Sequence, residues 1–230
     1  MIKVRKSDER GHANYGWLDT HHTFSFGNYH DPDHMNWRYL RVLNDDLISG
    51  GSEFPNHPHD NMEIFSYVTE GKLEHKDSLG NIAQVRPGRV QLMSAGSGIT
   101  HSEYNPSKTE RTHLFQVWIM PSIRNTEPTY QELDYDLEEL NNSLKLLVAP
   151  ESNEGAMTIR QKTRIYTGQL DTNKSINLPV DRYGWLQIIK GSITLNGHAL
   201  SVGDGAGTKD ENALKLTAQK DTEFLWFSMD

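Results

Sequence analysis

The amino-acid sequence predicts an all-β protein built from two β domains in tandem. Short segments rich in Val, Ile, Tyr, Phe and Trp recur along the chain and are separated by Gly, Pro, Asn and Asp. Such segments at this spacing are typical of a β-sandwich or barrel. The same order of segments appears around Gly71 and again around Gly191. This weak repeat favours two similar β domains over one.

The predicted strands follow from the apolar segments, taken in chain order. In the first half these segments are Tyr39–Leu43, Glu63–Thr69, Val90–Ala95 and His113–Met120, and in the second half Gly184–Gly191 and Glu223–Met229. All of them are rich in β-branched or aromatic residues, which favour strands. A turn sequence separates strands in each half, RPGR in the first and SVGD in the second.

A polar stretch separates the two halves. Residues 122–142 include YQELDYDLEELNN, which is acidic and has only a weak helical pattern. We therefore expect a linker at 122–142, with at most a turn of helix. It would join an N-terminal domain of residues 1–121 to a C-terminal domain of residues 143–230.

Composition argues against several classes of function. The 230 residues carry a formal charge of -8, and their basic residues are scattered, so we expect no direct nucleic-acid partner. No apolar run approaches the roughly 18 residues of a membrane helix, and no secretory signal is apparent, so we expect a cytoplasmic protein. Because the chain has no cysteine, any metal must be held by nitrogen and oxygen atoms.

Two short motifs have the spacing of metal ligands. His57 and His59 lie two residues apart in NHPHDNME, and His101 and Glu103 have the same spacing in GITHSEYN. Residues two apart on a strand point to one face, about 6.6 Å from each other. Three imidazoles and a carboxylate suit divalent iron, copper, nickel, manganese or zinc, but not calcium. The second half has only His198, so one metal site is predicted, in the first half.

Glu63 is a competing acid. On a straight strand it would lie about 13 Å from His59, so it could share an ion only if the chain bends at Asp60 and Asn61. We therefore predict Glu103 as the ligand. Glu63 would be a competing ligand, or a nearby carboxylate that orients a histidine or handles protons.

The remaining histidines of the first half are not predicted to bind metal. The N-terminal ones are expected in a hydrogen-bonded segment, from which one could line the mouth of the site. These histidines are His12, His21, His22, His30, His34, His75 and His113. A single His-x-His pair is more often part of a turn or surface than of a metal site, but two such pairs favour a metal.

These motifs resemble those of the cupin superfamily and, within it, the pirin family. GSEFPNHPHDNMEIFSYVTEG resembles the first cupin motif, and GITHSEYN resembles the second. Together with RGHANYGWLDTHHTFSF and MSAGSGITHSEYN, the likeness to pirins covers essentially the whole first half. Two departures from the general cupin pattern are mild. Gly96-Ser97-Gly98 replaces Pro-x-Gly, and seven residues rather than six separate Glu63 from Gly71.

The resemblance implies two jelly-roll type cupin barrels in tandem, a bicupin, whose leading strands pack on the second barrel. It implies that His57, His59, His101 and Glu103 hold one divalent transition metal, with iron as the first expectation. The second barrel would hold none.

The resemblance also implies quercetin 2,3-dioxygenase activity, in which a flavonol reacts with O2, its central ring is cleaved and carbon monoxide is released. Glu103, or failing that Glu63, would accept the proton of the 3-hydroxyl. The alternative is a non-enzymatic regulator that contacts a protein partner according to the redox state of its metal. Activity as a cupin isomerase or as a different dioxygenase is a further alternative, because the fold does not fix the reaction. A pocket of flavonoid size would favour catalysis, and a plugged barrel with a solvent-facing metal edge would favour regulation.

Overall fold

The computed structural model describes residues 1–152 and 155–230, and these residues form mostly strands. The first strands in chain order are β1 Ile2–Arg5, β2 Gly11–Asn14, β3 Leu18–His22, β4 Leu40–Ile48, β5 Glu53–His59, β6 Glu63–Glu70, β7 Leu73–Asp77, β8 Ile82–Val85, β9 Arg89–Ser94, β10 Ile99–Tyr104, β11 Thr112–Ile119 and β12 Thr129–Asp134. The later ones are β13 Ser143–Ala149, β14 Met157–Thr158, β15 Thr163–Leu170, β16 Ser175–Asn177, β17 Tyr183–Lys190, β18 Ser192–Leu195, β19 His198–Ser201, β20 Gly205–Lys209, β21 Lys215–Ala218 and β22 Thr222–Met229.

Helical structure in the described residues consists of the 3-10 helices Ser7–Glu9 and Leu137–Leu140. Neither has the length and apolar composition that a membrane-crossing helix needs.

The chain forms two compact units. The first unit contains Gly11–Tyr135 and Ile159–Gln161, and the second unit contains Met1–Arg10, Asp136–Thr158 and Lys162–Asp230. Each unit has a larger and a smaller sheet of mainly antiparallel strands.

Strand order is the same in the two units. The larger sheets run β12-β9-β6-β11-β4-β3-β2 in the first unit and β1-β20-β17-β22-β15-β13-β14 in the second. The smaller sheets run β5-β10-β7-β8 and β16-β21-β18-β19. Strands β4 to β11 of the first unit occupy the same positions, in the same order, as strands β15 to β22 of the second unit. The predicted all-β class and the predicted repeat of two similar domains are therefore confirmed.

Corresponding glycines close the equivalent turns. Gly71 lies between β6 and β7 with a φ of 75°, and Gly191 lies between β17 and β18 with a φ of 80°. L-residues with a side chain rarely adopt this left-handed conformation. A Cβ at Gly71 would also lie 2.7 Å from the carbonyl oxygen of Arg111, and one at Gly191 would collide with the carbonyl of Asp221. Glycine is thus required at both turns, which explains why the sequence repeat is visible there.

The stretch predicted as a linker contains a strand. β12 forms the edge of the larger sheet of the first unit and pairs with β9 from Thr129↔Ser94 to Asp134↔Arg89. Only the 3-10 helix Leu137–Leu140 matches the expected turn of helix. The sequence does not reveal this strand because it lies at the edge of the sheet, where it pairs with one neighbour only. Most of its residues are half-buried, so the sequence shows no alternation of apolar and polar residues.

The same edge of the second unit is filled by β1. It pairs with β20 in the register Ile2↔Thr208 to Arg5↔Gly205. The first ten residues thus belong to the second unit, where the family resemblance placed the leading strands, although the boundary at residue 121 groups them with the N-terminal half.

Candidate metal centre

The small sheet of the first unit brings both sequence motifs together. β10 lies between β5 and β7, and His101 on β10 is directly opposite His57 on β5 and Asp77 on β7. On β10 the side chains alternate, with His101 and Glu103 buried and their neighbours partly exposed. Because every second residue of a strand shares a face, the motifs of β5 and β10 face the interior of the same unit.

Three imidazoles converge at this face. Nε2 of His101 lies 3.0 Å from Nε2 of His59 and 3.0 Å from Nε2 of His57. Two nitrogens that bind one ion at about 2.1 Å lie about 3 Å apart when the bonds are near perpendicular. Nδ1 of His57 donates to the carbonyl oxygen of Pro55 at 2.8 Å, which leaves Nε2 with a free lone pair. This donor set fits a divalent transition metal.

Glu103 lies beside this cluster rather than at its centre. Ligand atoms that fall within 4.8 Å of one another form the group His57, His59 and His101, and a second group in which His101 is joined by His75 and Glu103. Oε2 of Glu103 accepts a hydrogen bond from Gln116 Nε2 at 2.7 Å. A carboxylate oxygen that accepts one hydrogen bond keeps a second lone pair, so this bond leaves Glu103 able to act as a ligand.

Amide and hydroxyl groups hold the carboxyl group of Glu103 from the larger sheet. Besides Gln116 on β11, Gln91 Nε2 on β9 donates to Oε1 at 3.3 Å, and Ser66 on β6 approaches the same oxygen. Ser66 and Gln91 also contact each other at 3.0 Å. No sequence pattern predicts a role for these polar residues, because each lies on a strand whose sequence is typical of a buried core.

Burial sets the protonation of the cluster. Burial, together with the neighbouring imidazoles, lowers the pKa of His101 to about 2 and that of His59 to about 4. Both rings are therefore neutral at pH 7, as a metal ligand must be. Burial, assisted by the nearby Asp46, raises the pKa of Glu103 to about 7.

A buried pair behind His101 was also missed. His75 Nδ1 lies 3.3 Å from His101 Nδ1, and His75 Nε2 lies 3.1 Å from Asp77 Oδ2. The His75 side chain is fully buried, as is that of Asp77. His75 is not among the histidines that the sequence predicts to bind metal. In the segment LEHKD, however, His75 and Asp77 have the same two-residue spacing as the other motifs, and that spacing could have identified the pair.

Glu63 has a different environment. The chain does bend before it, since Asn61 has a φ of 48°. Yet Ser94 Oγ donates to Glu63 Oε2 at 2.6 Å, and Arg160 contributes a backbone hydrogen bond and its positive charge. Burial raises the pKa of Glu63 against these contacts. Among the described residues, Glu63 belongs to no cluster that could hold a metal.

A cavity of about 320 Å³ adjoins the cluster. Its walls are mainly apolar and aromatic, with a few polar groups: Phe26, Phe54, Pro55 and Trp118, together with Asn44, Asp46, Gln116, His57, His59 and Glu103. Within the part of the chain that the structure describes, the buried atoms Asp46 Oδ1 and Trp118 Nε1 have no hydrogen-bond partner. Both residues belong to the lining of the cavity.

A second, open groove of about 820 Å³ reaches the same histidines. It is bordered by Pro58, Asp60 and Ile99 as well as by His57 and His59. The candidate metal centre is therefore accessible from two directions.

A further cluster lies on the strand pair β2–β3. His12, Asp19 and His21 have ligand atoms within 4.8 Å of one another, and His12 stacks on His21. Its surface position and the 2.7 Å contact between His12 Nε2 and Asp19 Oδ1 are those of an ordinary surface pair.

Family models match both halves of the chain. The model described as Pirin matches residues 3–119. The model described as the quercetinase C-terminal cupin domain matches residues 146–229.

Individual relatives match over the full length. Quercetin 2,3-dioxygenase of Escherichia coli (strain K12) is 46% identical over 231 residues, which covers 100% of this chain and 99% of that protein. The crystal structure of YhhW from Escherichia coli has a TM-score of 0.96 at 45% identity and covers 100% of this chain and 98% of the other. The structure of the bacterial pirin YhhW in complex with nickel(II) has a TM-score of 0.94 at 44% identity, with 100% and 99% covered.

The high TM-scores over the full chain agree with the architecture of two pairs of sheets described above. They confirm that the two β domains are cupins in tandem. The chain belongs to the pirin family.

Proposed function

We propose that this protein is a metal-dependent dioxygenase that cleaves the central ring of a flavonol-like substrate with O2 and releases carbon monoxide. His57, His59, His101 and Glu103 would hold the metal, with iron or nickel as the first candidates. The relative named quercetin 2,3-dioxygenase and the nickel(II) complex of YhhW support this assignment.

One observation carries the proposal. The 320 Å³ cavity borders His57, His59 and Glu103, and its aromatic walls are interrupted by a few polar residues, Asn44, Asp46 and Gln116. Small-molecule sites commonly have this composition and a volume of about 300–1,000 Å³. A flavonol is a planar aromatic molecule with hydroxyl and carbonyl groups, which suits aromatic walls that carry a few polar residues.

The residues of the chain would then act as follows. Phe26, Phe54 and Trp118 would hold the flat rings and exclude water. Glu103, which lines the cavity, would accept the proton of the 3-hydroxyl at a carboxylate oxygen, while Gln116 keeps the carboxyl group in place. Glu63, bonded to Ser94 and outside the lining, would not serve as this base. A bound metal would supply Lewis-acid stabilisation of the flavonolate and redox capacity for the reaction with O2.

The test is turnover by purified protein. Metal-free protein is loaded separately with iron(II), nickel(II), manganese(II), copper(II) or zinc(II). Loss of quercetin absorbance in air is followed together with O2 consumption and carbon monoxide release. We expect steady turnover with at least one redox-capable metal or nickel. It should be lost in Glu103→Ala and kept in His198→Ala, which removes an exposed histidine of the second unit. No turnover with any metal would reject the proposal, and full activity of Glu103→Ala with intact metal content would reject Glu103 as the base.

A second candidate, a metal-dependent regulator that contacts a protein partner, is favoured by the open groove. It reaches His57 and His59 from outside, so a change at the metal could be read at the surface. Oxidised and reduced iron-loaded protein would then differ in hydrogen exchange at the backbone amides of the groove residues Asp60 and Ile99 without any quercetin turnover. Identical exchange in the two redox states would exclude this function.

A further inference from the structure

We infer that Asp77, acting through His75, fixes the tautomer and orientation of His101 and so prepares its Nε2 to bind metal. This inference rests on the proposed function only in taking His101 as a metal ligand. It makes Asp77 and His75 positioning residues, neither of which needs to touch the metal or the substrate.

The chain of contacts begins at Asp77. Its Oδ1 accepts the backbone N–H groups of Leu79 at 2.9 Å and Asn81 at 3.0 Å. Its Oδ2 accepts a hydrogen bond from Asn81 Nδ2 at 2.9 Å and is also the partner of His75 Nε2 at 3.1 Å. A carboxylate has no hydrogen to donate. The hydrogen of this contact therefore lies on Nε2 of His75.

The position of that hydrogen decides the next contact. A neutral imidazole has one donor and one acceptor nitrogen, so His75 with its hydrogen on Nε2 can only accept at Nδ1. The 3.3 Å contact between the two Nδ1 atoms then requires the hydrogen to lie on Nδ1 of His101. Nε2 of His101 is left with its lone pair, directed at the Nε2 atoms of His57 and His59.

Packing fixes the orientation of the rings, while the hydrogen bonds fix their tautomers. His75 stacks on Tyr130 with ring centroids 4.6 Å apart and planes 20° apart. The side chains of His75 and Asp77 are fully buried. Strand pairing holds Asp77 directly opposite His101 and His75 opposite Glu103, so the chain of contacts crosses from β7 to β10 within one sheet. His101 therefore has one preferred ring orientation before any metal arrives.

The same device occurs at a second imidazole of the cluster. His57 donates from Nδ1 to the carbonyl oxygen of Pro55 at 2.8 Å, which also leaves its Nε2 unprotonated. At His101 the acceptor is the imidazole of His75. That ring accepts at Nδ1 only because the carboxylate of Asp77 holds its hydrogen on Nε2. Partners of metal-bound histidines commonly act in this way.

His75 is itself close enough to His101 and Glu103 to be considered a ligand. Both of its ring nitrogens, however, already have partners, His101 at Nδ1 and Asp77 at Nε2. A positioning role uses both contacts, whereas metal binding by His75 would break one of them.

Asp77→Asn tests the inference directly. The backbone N–H groups of Leu79 and Asn81 keep the amide oxygen of the new residue. Its NH2 group then faces His75 and the side chain of Asn81, whose amide turns to present its oxygen. With this NH2 donor beside it, His75 accepts at Nε2 and donates from Nδ1, so both hydrogen bonds reverse their direction. His101 then accepts at Nδ1 and carries its hydrogen on Nε2, where the hydrogen blocks metal binding. Nitrogen-15 NMR of the imidazoles in metal-free protein should show His101 protonated at Nδ1 in the wild type and at Nε2 in Asp77→Asn. Affinity for nickel(II), measured by competition with a chromophoric chelator, should fall about 10–100-fold.

Asp45→Asn is the matched control. It changes a His–Asp pair in the same unit, in which His113 Nε2 lies 2.6 Å from Asp45 Oδ1. We expect it to leave both the His101 tautomer and the nickel(II) affinity unchanged. An equal loss of affinity in Asp45→Asn would show a general electrostatic effect and overturn the inference.

Asp77 also organises the turn after β7, so a second variant guards against misfolding. His75→Phe keeps a ring on Tyr130 and removes both hydrogen bonds, and it should lower nickel(II) affinity in the same range while giving a mixture of His101 tautomers. Wild-type affinity in His75→Phe, or a wild-type His101 protonated at Nε2, would overturn the inference. If quercetin is not turned over but nickel(II) affinity depends on Asp77, the proposed reaction fails while the inference stands.

Discussion

His57 and His101 are directly opposite each other on neighbouring strands, and their Nε2 atoms lie 3.0 Å apart. Strand pairing thus makes one site from residues that are 44 positions apart in sequence. Such a cluster is costly without a cation, because the lone pairs of His57 Nε2 and His101 Nε2 face each other in a partly buried site.

Removal of one imidazole should abolish tight metal binding. We expect His101→Ala to lose nickel(II) affinity by more than about 100-fold, since the loss of a ligand exceeds the loss of a ligand's partner. Saturating nickel(II) should raise the unfolding temperature of the wild type but not that of His101→Ala. Competition with a chromophoric chelator would measure the affinity, and thermal unfolding would measure the stabilisation.

The control for that experiment is His12→Ala, which disrupts the surface cluster of β2 and β3. One tight equivalent of metal per chain is expected in the wild type and in this variant. A second equivalent that disappears in His12→Ala would show that the surface cluster also binds metal. Unchanged affinity in His101→Ala would contradict the assignment of the centre.

Trp118→Phe should weaken substrate binding while leaving the metal in place. The change keeps an aromatic wall against His59 and Phe26 but removes the indole N–H, which has no hydrogen-bond partner among the described residues and which we expect to bind a flavonol. Loss of one hydrogen bond of about 1 kcal/mol predicts a roughly fivefold higher KM for a flavonol. The matched change Trp185→Phe in the second unit should leave KM unaltered. A normal KM in Trp118→Phe would exclude the indole N–H from substrate recognition.

Asp46 should make the metal-free protein less stable as pH rises. Burial raises the pKa of its carboxyl group from 3.8 to about 7. Between pH 4 and 7 the folded state therefore binds more protons than the unfolded state, and the stability contributed by the neutral acid is lost as pH rises through this window. The unfolding free energy of Asp46→Asn minus that of the wild type should increase by at most about 4 kcal/mol from pH 4 to 7.5. Urea unfolding at several pH values would measure it, and a pH-independent difference would refute the prediction.

Asp204 in the second unit should show the opposite sign. Burial acts to raise its pKa, but hydrogen bonds from Lys6, Ser201 and Ser7 lower it overall. Asp204→Asn should therefore cost about 2–3 kcal/mol at neutral pH, where the carboxylate is charged. The difference should vanish as pH falls through the folded-state pKa, below the ordinary value of 3.8.

Asp210→Asn provides the comparison for Asp204. Its partner Arg182 lies 3.2 Å away, but both side chains are more than half exposed, so the pair is screened by water. We expect a change in unfolding free energy near zero at every pH. A cost as large as that of Asp204→Asn would show that burial is not what distinguishes the two contacts.

Local pattern was sufficient for much of the fold. Gly71 and Gly191 identified the repeat because each occupies a turn that a side chain cannot enter. Strand β12 was missed because half-buried edge residues such as Gln131 and Glu132 leave no apolar pattern. The pairing of β1 with β20 could not be predicted from spacing, since no local property of Ile2 indicates which unit it joins.

By itself, the sequence determined the all-β class, the two domains and the pairs His57/His59 and His101/Glu103, since two-residue spacing on a strand fixes which side chains share a face. Tertiary structure alone decided how those pairs are completed. It directed Glu63 to Ser94, placed His75 and Asp77 behind His101, and brought polar groups of β4 and β11 to the cavity. The reason is physical. The side of a strand on which a side chain lies depends on local geometry. Contact between side chains of different strands depends on register, twist and burial, which only the assembled sheets define.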